Sequence, residues 1–97
     1  MFIEDKSKVS VKNLDLARAV ESLREELEAV SWYQQRADAC SDGQLKKIFI
    51  HNANEEKEHA AMVLEWIRRK DTCFDKELRD YLFTDKPIID LEKGHHD

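Results

Sequence analysis

Apolar residues along this chain recur at alternating intervals of three and four. In the first half the row is Leu16, Ala19, Leu23, Glu26, Val30, Tyr33 and Ala37. In the second it is Leu45, Phe49, Asn52, Glu56, His59, Val63 and Trp66. Such spacing follows one face of an α-helix, so two long helices are predicted, over about 14–39 and 42–70. Between them, Ser41-Asp42-Gly43-Gln44 reads as a tight connection, with Ser41 and Gln44 forming a capping box. A connection this short turns the second helix back antiparallel to the first. Thr72 with Asp75 predicts another cap, opening a short helix over 73–83. Pro87 is placed as a first-turn residue of a last short helix over 87–93, which Gly94 would close. The expected architecture is all-α: an antiparallel two-helix hairpin plus short C-terminal helices, in one domain spanning 1–97. Residues 1–12 read as a flexible or docking arm, and 93–97, with His95 and His96, as a tail.

Composition supports the helical reading and narrows the function. The 97 residues include only two glycines and one proline and are 38% charged, which favours long helices over strands and turns. So small a chain buries too little surface alone and is expected to complete its core by association. A net charge of −5 argues against a nucleic-acid partner. No apolar run approaches a membrane span and the N-terminus lacks a signal-peptide core, so a cytoplasmic protein without a membrane partner is expected. Cys40 and Cys73, at opposite ends of the second predicted helix, would stand roughly 40 Å apart, far beyond the reach of a disulfide. They read as free thiols in a reducing compartment.

The two rows carry a chemical signal. The first is interrupted by one carboxylate, Glu26, and the second by Asn52, Glu56 and His59. A carboxylate at a packing position is costly unless it is paired or bound to metal. Glu56 and His59, at i and i+3, are neighbours on one helical face. Glu-x-x-His on one helix with Glu on another is half the ligand set of ferritin-like di-iron bundles. One hairpin thus supplies half a site and half a four-helix bundle, and a two-fold dimer would supply the rest. Two readings from other classes stay open on these residues alone. One is a helical cargo or scaffold module with a structural metal. The other is a metal-free oligomerisation hairpin in which buried Glu and His fix register.

Three stretches resemble the encapsulated ferritins, two-helix ferritin-like proteins carried as cargo by encapsulin nanocompartments. They are EELEAVSWYQQRADA (25–39), HNANEEKEHAAMVLEWIRR (51–69) and DYLFTDKPI (80–88), within a resemblance covering roughly 14–92. It implies a homo-oligomer, a decameric ring of five dimers, whose ferroxidase centre forms across a dimer interface and oxidises Fe(II) to Fe(III). Two irons per interface would serve storage and detoxification inside the encapsulin shell. Carried over by position, the iron ligands fall on Glu26, Glu56 and His59. Tyr33 matches a tyrosine beside the di-iron centre, and Trp32, read here as packing, a tryptophan next to it. Glu25 and Glu28 match acidic residues that gather cations on the way in. His51, Glu55 and Glu58 match a weak external site open to calcium or other divalent cations. Two features depart from the family pattern. Ser31 replaces an acidic residue, removing a charge near the inlet. No Gly- and Ser-rich linker with a shell-docking peptide follows in these residues, so encapsulation is an implication of the resemblance alone.

Overall fold

The computed structural model describes residues 2–92. Among them the structure is all-helical, as the apolar pattern predicts. Helix α1 spans Val11–Ala39, α2 Gly43–Lys70 and α3 Thr72–Tyr81. Single 3-10 turns occupy Lys6–Lys8 and Ile88–Leu91. The two long helices form an antiparallel hairpin packed along its length, consistent with half a ferritin-like bundle.

The ends of the helices differ from expectation in instructive ways. Helix α1 begins inside the region read as an arm, because the Ser10 hydroxyl accepts a hydrogen bond from the Asn13 N–H at 3.2 Å and opens the helix there. The predicted Ser41 capping box does not form. Asp42 is the cap instead, its carboxylate accepting from the Leu45 N–H at 2.9 Å. Gly43 is simply the first residue of α2, and a Cβ there would meet nothing within 4 Å, so the tight connection owes nothing to its missing side chain. At the far end Asp71, not Thr72, is the cap. Its N–H donates to the Ile67 carbonyl, closing α2, while its carboxylate accepts from the Phe74 N–H at 3.0 Å, opening α3. One residue therefore ends one helix and starts the next, and the chain bends sharply at Asp71. Pro87 precedes a 3-10 turn over Ile88–Leu91 in place of the predicted α-helix. Gly94, His95 and His96 lie outside the described residues.

The core is thin. Only Ala37, Ala53, Ala60 and Ile67 are fully buried among the described residues. Three are alanines, whose small side chains let the helix backbones approach closely. On α2 this row sits one residue along from Asn52, His59 and Trp66, which are only half-buried. The sequence row thus straddles the contact with α1 and an open flank. The radius of gyration is 17.6 Å, against about 12.5 Å for a compact chain of this length. Beyond α3, Phe83 adopts φ 60°. This is the left-handed region that normally follows a helix as glycine, and it costs a side-chain-bearing residue about 1–2 kcal/mol.

Candidate metal centre

Glu26 on α1 and Glu56 on α2 face a common cleft of about 250 Å³, lined also by Ser22, Glu25 and Ala29. One oxygen of Glu26, Oε2, is buried there without a hydrogen-bond partner. An unsatisfied carboxylate oxygen out of water is unfavourable, so the chain alone leaves this position incomplete. On the same face of α2, His59 Nδ1 stands 3.7 Å from Glu56 Oε2, too far for a hydrogen bond, and the imidazole is 44% exposed. The pair is therefore adjacent but not engaged. Hard carboxylate oxygens beside an imidazole suit Fe(II) and related divalent ions. Among the described residues, no three His, Cys, Asp or Glu side chains of one chain gather closely enough to hold a metal. The cleft brings carboxylates together with an imidazole nearby, short of a complete metal-binding set within the described residues of one chain.

The surrounding residues divide by what they touch. The Tyr33 ring lies 6.2 Å from that of Phe49, two helical turns, or about 10 Å, along α1 from Glu26. Trp32, read as packing, is 51% exposed, because one chain offers nothing to cover it. The Arg36 guanidinium sits over both rings, 5.9 Å from Trp32 and 5.6 Å from Tyr33. Ser31 accepts a hydrogen bond from Gln35 Nε2 at 2.9 Å. Glu25 reaches the cleft, whereas Glu28 turns toward Arg24, whose Nη1 is 3.8 Å away. Arg24 also donates to Glu21 at 2.6 Å and holds that carboxyl down at about 2. His51 and Glu55 stand 3.6 Å apart on the exposed face of α2. Glu58, a turn further on, is exposed.

A model of the EncFtn-like family matches residues 1–85. The chain belongs to this family. Its relatives include a ferritin-like protein of Thermotoga maritima, 51% identical over 95% of this chain and 81% of the relative. An encapsulated ferritin-like protein of Rhodospirillum rubrum is 57% identical over 77% of this chain and 54% of the relative, so the chain spans about half the length of that protein. Among solved structures, that of protein ne0167 from Nitrosomonas europaea superposes with a TM-score of 0.87 at 61% identity, covering 90% of this chain and 96% of the other. Within this EncFtn-like hairpin, Arg24 was overlooked by the sequence reading. Its spacing to Glu21 and Glu28, at i−3 and i+4, marks it as a potential partner of both.

Proposed function

We propose that the chain is a ferroxidase subunit whose di-iron site forms between two copies packed along the Glu26, Glu56 and His59 faces. The observation that carries this reading is the buried, unpartnered Oε2 of Glu26 in a cleft shared with Glu56. Two Fe(II) ions enter as substrate. Glu26 from each copy bridges them, and each Glu56 and His59 pair caps one ion. Each iron gives up one electron. With dioxygen as oxidant, two Fe(II), one O₂ and two protons yield two Fe(III) and one hydrogen peroxide. With peroxide as oxidant, two Fe(II), one H₂O₂ and two protons yield two Fe(III) and two waters. Clustered carboxylates favour the more highly charged ferric product.

Around this centre, Glu25 and Glu28 draw cations inward by their field. Tyr33, two helical turns along α1 from Glu26, stands on the flank of the centre, and His51, Glu55 and Glu58 hold a second cation weakly at the outer face. The wider reading is a decameric ring acting on iron inside an encapsulin compartment in the cytoplasm. It is supported by the chain's likeness to the encapsulated ferritin-like protein of Rhodospirillum rubrum.

The test is oxygen consumption by Fe(II)-loaded protein, with Glu26→Ala and His59→Ala beside the parent chain. Both variants are expected to keep their helical circular dichroism and fall to the uncatalysed rate. Parent-like oxidation by either variant would reject the site. A parent chain that binds iron without oxidising it would point to a structural-metal module. No change in assembly or stability with iron would point to the metal-free hairpin.

A further inference from the structure

We infer that Arg36 guards the two oxidisable rings of α1, so that iron, and not Trp32 or Tyr33, gives up electrons on this face. Its purpose rests on the ferroxidase reading, whereas its physical effect does not depend on iron. Trp32 and Tyr33 are the only tryptophan and tyrosine on α1, and they lie about 10 Å along the helix from Glu26. Trp32 is 51% exposed. A cleft of about 220 Å³, lined by Trp32, Gln35 and Arg36, leaves its face open to solvent. A small diffusible oxidant can therefore reach it.

What singles out Arg36 is its company. Arg18, Arg24, Arg68, Arg69 and Arg79 each stand within salt-bridge distance of a carboxylate. Among the described residues no ion pair holds Arg36, and its guanidinium lies over two rings instead, 5.9 Å from Trp32 and 5.6 Å from Tyr33. At i−4 and i−3, both rings are its neighbours on the helix surface. Gln35, the other polar group of the cleft, donates to Ser31 at 2.9 Å. An arginine stays charged at any pH the protein meets, and no paired carboxylate cancels its field at the rings.

Oxidation of either ring removes one electron and one proton, the proton from the indole nitrogen of Trp32 or the phenol oxygen of Tyr33. The proposed reaction itself supplies an oxidant. Hydrogen peroxide meeting Fe(II) gives Fe(III), hydroxide and a hydroxyl radical, which takes the electron and proton of a ring and leaves as water. Removing an electron from a ring beneath a cation brings two positive charges together, so the ring holds its electron more tightly. An iron held among Glu25, Glu26 and Glu56 meets the opposite field and gives up its electron more readily. The two ends of the face thus favour electron loss at the cleft and oppose it at the rings. A cation over an exposed ring is worth about a two- to fivefold factor.

The decisive measurement is oxidation of the iron-free full chain by the azidyl radical, a neutral one-electron oxidant made by pulse radiolysis. It takes an electron from indole or phenol and becomes azide, while the ring loses its proton to water. Peptide mapping by mass spectrometry then gives the summed oxidation of Trp32 and Tyr33. Trp66, with Lys70 over its ring at 5.9 Å, serves as the internal reference. Arg36→Met removes the charge and keeps an apolar stem on the rings, whereas Arg36→Lys keeps the charge. Both substitutions are at an exposed position and should retain helical circular dichroism. Relative to Trp66, Arg36→Met is expected to raise oxidation of the two rings about two- to fivefold, and Arg36→Lys to restore at least half of the protection. A parent-like yield in Arg36→Met would overturn the proposal. So would equal yields in the two variants, because packing and not charge would then shield the rings. With no iron present, failure here leaves the ferroxidase reading intact, and failure of that reading in oxygen uptake leaves this result intact.

Discussion

The corner where α2 meets α3 and the cleft between α1 and α2 are built from the same kinds of residue and finished very differently. At the corner, Arg68 donates to both oxygens of Glu65, at 2.7 and 2.8 Å, and also to Asp75. Arg69 adds a bond to Glu65 at 2.7 Å and Arg79 one to Asp75 at 2.9 Å. These guanidinium groups pull Glu65 down to about 2 and hold Asp75 below the usual carboxylate range. In the cleft, Glu26 keeps an oxygen without a partner, and Glu56 and His59 stand 3.7 Å apart. A carboxylate closed off by arginine within the chain is structural. One left open, among other carboxylates and near an imidazole, is what the proposed iron site would use.

The sharpest way to break this contrast is Glu26→Leu. Removing a buried, unsatisfied oxygen and filling its place with an apolar side chain is expected to stabilise the metal-free protein by about 1–3 kcal/mol. The same change should reduce Fe(II) oxidation to background. Thermal denaturation and oxygen uptake on one preparation check both. A structural carboxylate would give the opposite stability result, because its loss would leave arginine unpaired. Stability falling together with activity would mean that Glu26 is a structural carboxylate like Glu65.

The hairpin was legible, and so were the approach of Glu26 to Glu56 and the adjacency of Glu56 and His59, because helical periodicity is a local property. An interruption in an apolar row stands out wherever it falls. The placement of the rows was less so. Ala53 and Ala60 weigh little in a hydrophobic pattern yet form the closest contact, so the row through Asn52, His59 and Trp66 looked like the centre of packing and is its flank. The caps were misplaced by one residue, to Ser41 and Thr72. Adjacent side chains at each site can all accept from the first turn, and the backbone decides which one is extended. The exposure of Trp32 and the left-handed Phe83 had no local signal.

Acid should separate the two regions next. Glu65 titrates from 4.5 in the unfolded chain to about 2 in the folded one. A carboxyl lowered by folding contributes stability that is fully present above the unfolded value and is lost as pH falls toward the folded one. Stability from the corner is therefore expected to hold from neutrality to about pH 5 and to decline between about 4.5 and 2. Amide protection in α3, measured relative to the intrinsic exchange rate at each pH, should fall over that window before the α1 and α2 core opens. Protection in α3 that is unchanged at pH 3 would show that apolar contacts, not the arginine clamp, hold the corner.

The smallest effect lies at the border between the two regimes, on α1. Arg24 is bonded to Glu21 at 2.6 Å and stands 3.8 Å from Glu28. It thus brings some of the corner's closure to the inlet carboxylates. If Glu25 and Glu28 gather cations as proposed, Arg24 acts as a tethered cation that competes with an incoming one for Glu28 and weakens the field around Glu25. The pair is exposed and such pairs are weak, so the competition is modest. Arg24→Gln is expected to speed Fe(II) capture a few-fold at limiting iron, with little change in the maximal oxidation rate. The gain should shrink as salt is raised, since screening weakens exposed charges. Redox-inert Mn(II) offers an independent readout, binding a few-fold more tightly to the variant. Equal capture by both proteins at low salt would mean that Glu28 takes no part in gathering cations, leaving Glu25, which already lines the cleft, as the residue on the way in.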